Sequence, residues 1–391
     1  MTRVEEDQTP ALDTIRMLAE TIGPRPAGSP EEKQAMDYLT GKLESAGYQV
    51  SRTPVAFAPE ALYSPFFGLG ALFLIAAGFL LPVTPIPALL LPFLNLCLPQ
   101  LSRLAIQKRK PTQISENLFA VLPEQQKKDR LILCAHLDSG KMSGIAQPAW
   151  IKIYHQCLFY GQRIAIFLCL LAIACLMGVN LPETLYTGIK VLVLIVGGLW
   201  FSLDLLDQFG AAGEYAPGAN DNASGVGVAL ELAKIASQKS PKAYEVAFLF
   251  TGAEETGLHG AQQAAAALDP AHDVVLNLDM VGTGRQLYYV TAEGTLSILR
   301  TDKRLNQVIQ KAETNARAAW YTVRSGDFAA FLRHGIRSTS LELRSGDAVG
   351  PHYHTRLDQV NTIDPESLEY MVRFLKFFLA FYEDEFEDNQ S

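Results

Sequence analysis

Charge is scarce in this 391-residue chain: Lys, Arg, Asp and Glu make up 19%, while 49% of residues are hydrophobic. Ordinary soluble domains carry roughly 25% charged residues, so a wholly water-exposed globule is excluded. Long uncharged runs account for the shortage, and setting aside about 80 residues of them leaves roughly 310 with an ordinary charged fraction. Basic residues are also outnumbered, 33 Lys and Arg against 41 Asp and Glu. The resulting net charge of -8 excludes the basic surface needed to neutralise nucleic-acid phosphates. Cysteine is sparse too, with five residues and no CxxC pair, which excludes a disulfide framework. Cys97, Cys157, Cys169 and Cys175 lie in or beside apolar runs and Cys134 ends a strand-like stretch, as small buried residues do. The start, Met1 to Pro10, lacks the basic-then-apolar order of a secretory signal. Repeats and low-complexity tracts are missing as well.

What is present begins with the apolar runs. No charge occurs from Ala61 to Ser102, and Leu62 to Leu81 is about long enough to cross a hydrocarbon core of about 30 Å as a helix. Pro82, Pro85 and Pro87 turn the chain into a shorter run, Ala88 to Leu98. Ile164 to Leu181 and Ile189 to Leu206 repeat the arrangement around a link holding Pro182 and Glu183. The expectation is four spans in two transmembrane hairpins, at 61–106 and 151–209, with 1–60, 107–150 and 210–391 forming the polar domain. Arg103, Lys108, Arg109 and Lys110 follow the first hairpin and Lys152 and Arg163 precede the second, whereas the far links hold only Lys190. Positive residues collect on the cytoplasmic side, which places the polar domain there. Asp204 and Asp207, on one face near the end of the last span, read as structural carboxylates at the interface.

Outside the hairpins the chain alternates helix and strand. Helical spacing covers Leu12 to Ile22 and Pro30 to Ala46, the latter opened by Ser29 as N-cap, proline at the first position and an acidic first turn. Strand-like runs are Gln49 to Val55, Asn117 to Leu122, Leu131 to Ala135, Glu245 to Thr251, Val274 to Met280, Leu287 to Thr291 and Ser338 to Leu343. Further helices fit Gly225 to Ser237, Gly257 to Leu268, Lys303 to Ala318, Phe328 to His334 and Pro365 to Asp384. The alternation predicts an α/β domain whose mixed, largely parallel sheet is covered by helices.

Sites in open α/β sheets gather at the carboxyl ends of strands, and the unusual polar residues fall there. They are His136-Leu137-Asp138, the helix start Gly218-Ala219-Asn220-Asp221-Asn222, Glu254-Glu255, Asp279, and His352-Tyr353-His354-Thr355. Acidic groups converging beside buried strands repel one another unless a cation lies between them. Oxygen and imidazole donors without thiolates suit zinc, with cobalt or manganese as alternatives, and the surplus of carboxylates points to two metal ions.

This ordered set resembles the M28 metallopeptidases, typified by dinuclear zinc aminopeptidases. The resemblance runs from Leu12 to about Phe381 outside the hairpins and includes Gly23-Pro24-Arg25-Pro26-Ala27-Gly28-Ser29. It implies a zinc-exopeptidase-like fold with two divalent ions. In that pattern Asp221 bridges the metals, His136 and Asp279 complete one site, and Glu255 and His354 the other. Glu254 matches the general base, Asp138 the carboxylate that fixes the His136 tautomer, and Tyr353 a residue that helps hold the oxyanion. The peptide after the bridging aspartate is often cis in the family, which makes Asp221-Asn222 a candidate. His352 rivals His354, but His354-Thr355-Arg356-Leu357-Asp358 fits the family's His-Thr-x-x-Asp. His155, His259, His272 and His334 lack such a context. Ser325-Gly326-Asp327-Phe328 departs from the Ser-Asp-His that relatives often carry, which puts substrate contacts there in doubt.

The implied function is a membrane-anchored aminopeptidase acting on peptides. One hairpin enters between His136 and Asp221, which points to hydrophobic or membrane-associated substrates. Carboxypeptidase or dipeptidase action, glutaminyl cyclisation, and a non-catalytic membrane receptor or scaffold are the alternatives.

Overall fold

The computed structural model describes residues 9–58, 68–123, 127–145, 148–209, 213–294, 297–322, 324–346 and 352–387. In chain order these form α1 (Pro10–Arg16), α2 (Pro30–Ser45), β1 (Gln49–Phe57), α3 (Leu69–Leu80), α4 (Pro85–Gln107), β2 (Gln113–Val121), β3 (Arg130–His136), α5 (Pro148–Leu176) and α6 (Glu183–Phe209). There follow α7 (Ser224–Gln238), β4 (Glu245–Thr251), α8 (His259–Ala265), β5 (Asp273–Leu278), β6 (Gln286–Glu293), β7 (Leu299–Arg300), α9 (Lys303–Ala312), β8 (Arg317–Tyr321), α10 (Asp327–Arg333), β9 (Arg337–Arg344) and α11 (Pro365–Glu387). They separate into two compact units, one from Met1–Pro59, Pro111–Met142 and Glu214–Ser391, the other from Glu60–Lys110 and Ser143–Gly213.

The first unit is built on a nine-stranded sheet ordered β1-β2-β4-β3-β5-β9-β6-β7, with β8 paired to β6. The four central strands β4, β3, β5 and β9 run parallel, and antiparallel pairs flank them on both sides. Every residue of β4 and β5 is buried, because a central strand covered on both faces presents apolar side chains in both directions. Helices α1, α2, α7, α9 and α11 supply the core on one face, and α8 and α10 on the other. Helix starts follow their sequence signals. Ser29 Oγ accepts the amide of Glu32 ahead of Pro30, and Thr9 Oγ1 that of Leu12 ahead of Pro10.

Two strands differ from the sequence expectation: the short β7 lies where none is expected, and β8 replaces the end of a helix. The helix expected over Lys303 to Ala318 stops at Ala312, where Glu313 turns extended, and Arg317–Tyr321 is strand β8. Its alanines favour helix locally, but parallel pairing with β6 overrides that preference.

In the second unit, α3 to α6 pack around Leu74, Ala77, Leu168, Ala172 and Val193. Among the described residues Pro85–Ser102, Ala149–Leu176 and Glu183–Gln208 are long and apolar enough to cross a membrane, three helices where four spans were expected. Within the described residues α3 has 12 residues, about 18 Å at 1.5 Å per residue; positions 62–67 of that expected span lie outside them. Helix α4 is longer than its sequence suggested, 23 residues with Pro92 and Pro99 inside. Neighbouring helices make prolines tolerable in such an environment. Small residues allow the close approach: a Cβ on Gly78 would lie 2.6 Å from Val193, and one on Gly197 2.6 Å from Ile75. Asp204 accepts the Tyr154 hydroxyl at 2.5 Å and Asp207 that of Ser143, so both carboxylates hold structural partners.

Candidate metal centre

Parallel pairing sets β4, β3 and β5 side by side, so their carboxyl ends share one edge. His136 is the last residue of β3, Glu254 and Glu255 follow β4, and Asp279 follows β5. Asp221 arrives from the turn before α7, and His354 from the turn between β9 and α11.

The donors converge on Asp221. His136 Nε2 lies 3.1 Å from its Oδ1 and 4.0 Å from Asp279 Oδ1; His354 Nε2 lies 3.4 Å from its Oδ2 and 3.0 Å from Glu255 Oε2. Each oxygen of one carboxylate therefore faces a different imidazole, with a second carboxylate beside each. His136, Asp221 and Asp279 form one such group, and Asp221, Glu255 and His354 another; Glu254 joins His136 and Glu255 in a third. His354, not His352, is the histidine that reaches the cluster.

The supporting hydrogen bonds explain how loops of such different origin keep register. Asp138 accepts the amides of Glu254 and Glu255, both at 3.1 Å, on its two oxygens. The nearest partner of His136 Nδ1 is the Asp138 carbonyl at 3.1 Å, with the carboxylate at 3.7 Å. The tautomer is thus set by the backbone of Asp138, because a carbonyl only accepts; Nδ1 keeps its proton and Nε2 is free to bind a cation. Asp358 takes the amides of Asn220 and Asp221 at 2.7 and 3.0 Å. Asn222 and Ser224 accept the amides of Met280 and Val281, and Asn220 that of Gly282, fastening the Asp221 turn to the loop that carries Asp279. The Asp221-Asn222 peptide is cis. Ala253, Met280 and His354 have φ of 53°, 54° and 52°, an unfavourable region for side-chain-bearing residues that surrounding structure must enforce.

Electrostatics shows that the cluster fits cations. Burial, then the charge of Asp221, pushes the Asp279 carboxyl up to about 7. Burial lifts Glu254 well above the carboxylate range, with His136 opposing and Glu255, Asp327 and Asp279 adding to the rise. For Asp221 burial works upward, but hydrogen bonds and charge from His136 and His354 outweigh it and hold the carboxyl well below its usual range. Asp279 Oδ1 is buried without a hydrogen-bond partner among the described residues. Nitrogen and oxygen donors this close, one of them orphaned, fit divalent metal ions.

Gly140 leaves the room. A Cβ there would stand 2.6 Å from both Glu255 Oε1 and His354 Nε2. Gly140→Ala is expected to weaken binding of metal by about 10–100-fold, the range for disturbing groups that orient ligands. A competition titration with a chelating dye checks it, and affinity within twofold of the parent would show that the close approach is not needed.

Tyr353 stacks on His354, ring centroids 3.9 Å apart, and burial followed by the charges of Glu255 and Asp221 raises its hydroxyl well above the ordinary phenol range. Asp327 is buried beneath the strand ends, where it accepts the Thr251 hydroxyl at 2.5 Å. Phe328, which follows Asp327, is buried edge-on against Tyr321. The other histidines stand apart from the cluster: His272 meets Asp129, and His334 the Ala330 carbonyl. Arg25 was invisible as a site residue in the sequence, although an arginine between two prolines in an otherwise uncharged stretch was the available signal. It is fully buried and donates to the carbonyls of Leu18, Gly23, Leu137, Pro217 and Gly218. Leu137 adjoins His136 and Gly218 opens the Asp221 turn, so one guanidinium ties two donor loops together.

Sheet and site together define a mixed α/β protein of the zinc-exopeptidase fold. Residues 203–378 match the model of peptidase family M28. Aminopeptidase YwaD of Bacillus subtilis (strain 168) is 32% identical over 171 residues, 40% of this chain and 35% of YwaD. A probable zinc metalloprotease of Pyrenophora teres f. teres (strain 0-1) is 49% identical over 73 residues, 18% of this chain and 16% of that protein. The chain thus spans about a third or less of the length of these relatives. Among solved structures, BSAP, a zinc aminopeptidase from Bacillus subtilis, matches with TM-score 0.56 at 17% identity, over 95% of this chain and 94% of that one. Bacteroides thetaiotaomicron glutaminyl cyclase matches with TM-score 0.55 at 16% identity, over 95% and 96%. At these identities the likeness is one of fold.

Proposed function

We propose that the chain is a membrane-anchored, metal-dependent aminopeptidase, and that the observation carrying this reading is the division of the two Asp221 oxygens between His136 and His354. His136, Asp221 and Asp279 would hold one divalent ion and Asp221, Glu255 and His354 a second, zinc being the metal the donor set suits. Bound there, the ions supply Lewis-acid activation of water and of the scissile carbonyl. Glu254 takes the proton of the attacking water and delivers it to the leaving amine. Asp138 holds the backbone of Glu254 and Glu255 in place by accepting both amides. The Tyr353 hydroxyl, kept protonated, stabilises the oxyanion by hydrogen bonding. The Lys and Arg flanking the apolar runs support a cytoplasmic position for the peptidase domain. The second insertion leaves the chain after Met142 and returns before Glu214, between His136 and Asp221; this order supports hydrophobic or membrane-associated peptides as substrates.

The test is metal content together with turnover of free, N-acetylated and N-terminal glutaminyl peptides by the purified chain. About two metals per chain and cleavage confined to free N-termini is the expected result. Cleavage of blocked peptides would replace the reading with another peptidase activity, and cyclisation of glutaminyl peptides without hydrolysis with an acyl transfer. A protein without metal or turnover would be a scaffold.

A further inference from the structure

Arg324 borders the centre, and the hydrolytic steps above make no use of it. It precedes Ser325-Gly326, and a Cβ on Gly326 would lie 3.5 Å from Asp279 Oδ2. Its guanidinium lies over the Tyr321 ring, 4.0 Å from the centroid, and Nη2 donates to Glu342 Oε2 at 2.5 Å. Glu342 also takes Arg344 through its other oxygen. It sits on β9 next to Leu341, whose carbonyl accepts the amide of Asp279 at 3.0 Å. Among the described residues two arginines therefore share one carboxylate, which leaves a net positive charge close to the Asp279 loop. Among the described residues Glu342 is the only hydrogen-bond partner of Arg324, whose side chain is 11% exposed, so Nε and Nη1 are not engaged. The charge of Arg324 acts on both Asp279 and Tyr353.

A cation held this close to a site for divalent ions opposes their binding, so its presence calls for an anionic counterpart. Glu342 holds Nη2 through one N–H and Tyr321 covers a face of the guanidinium, which leaves the second N–H of Nη2 and a neighbouring nitrogen to form a fork that a carboxylate accepts in bidentate fashion. We propose that Arg324 binds a carboxylate of the peptide substrate next to the scissile bond and gives the site a preference for acidic substrates. Two sources offer this group: the side chain of an N-terminal Asp or Glu, and the C-terminal carboxylate of a dipeptide. The inference rests on the peptidase reading for its substrate class.

The test uses the full chain in detergent and three peptides: Glu-Leu-amide, Gln-Leu-amide and Gln-Leu with a free carboxylate. Turnover is measured with the parent chain, and affinity by calorimetry with metal-loaded Glu254→Gln. The expected result is a preference of at least ~10-fold for one acidic peptide over Gln-Leu-amide, in both kcat/KM and Kd, as a charge-assisted hydrogen bond gives. Preference for Glu-Leu-amide assigns the fork to the N-terminal side chain; preference for the free acid assigns it to the C-terminus. Arg324→Met should bring the ratio to about one and Arg324→Lys to an intermediate value, because Lys keeps the charge but not the fork. If Arg324→Met fails to fold, Arg324→Lys and the parent preference carry the test. Hydrolysis without acidic preference, or with a preference that Arg324→Met or Arg324→Lys leaves unchanged, overturns the inference and spares the peptidase reading. Acidic preference in binding without hydrolysis would spare the inference and overturn that reading.

Discussion

Glu254→Gln is expected to lower kcat by about 10²–10⁴-fold, the usual contribution of general acid–base catalysis, with the metal still bound. Gln preserves the volume and a carbonyl oxygen but accepts no proton. The backbone amide of Glu254 keeps its bond to Asp138, so the loop has no reason to move. The neighbouring change separates this from a general disturbance. Glu255 Oε2 lies 3.0 Å from His354 Nε2 and shares its donor group with Asp221, so Glu255→Gln should release metal and lose activity with it. Metal analysis beside kinetics reads both variants. Loss of metal from Glu254→Gln would make Glu254 a ligand, which its grouping with His136 and Glu255 permits geometrically.

Arg25→Ala is expected to produce the largest loss of stability in the first unit, about 3–5 kcal/mol, the range for removing one side of a buried charged arrangement. The guanidinium is fully buried and meets five backbone carbonyls. Burial draws its pKa down to about 10, against the opposing charges of Asp358, Asp138 and Asp221. It therefore stays charged at neutral pH. Without it those carbonyls lose their donor, and the loops of His136 and Asp221 lose their common tie. Metal affinity should fall together with the unfolding midpoint. Arg25→Lys should recover only part, since one ammonium cannot span acceptors arranged around a planar fork. Thermal unfolding of metal-loaded protein measures the effect, and a midpoint within a degree of the parent would show that Arg25 is not the tie described.

The core strands were legible because burial on both faces leaves a simple mark. The strand expected over Glu245 to Thr251 coincides with β4, and that over Leu131 to Ala135 is one residue shorter than β3 at each end. Strand β8 was not legible: Arg317 to Tyr321 lies half exposed at a sheet margin, its alanines suit a helix, and only β6 makes it a strand. The apolar runs showed a similar division. Composition located them, but α4 continues through Pro92 and Pro99 because a helix interrupted locally can be supported by its neighbours.

The sequence by itself determined which chemistry was available: carboxylates and histidines placed just after buried strands, in an order that resembles the M28 family, with basic residues bordering long uncharged runs. Such features are local, and each is visible within a short window of residues. Tertiary structure alone decided which donors meet, that each Asp221 oxygen has its own histidine, and that the carbonyl of Asp138 rather than its carboxylate is nearest to His136 Nδ1. It also brought Arg25 onto two donor loops and the segment from Arg324 to Gly326 next to Asp279. These are contacts between residues far apart in the chain. They depend on strand order and on the exact turn of each loop, quantities that residue type and spacing along the chain do not carry.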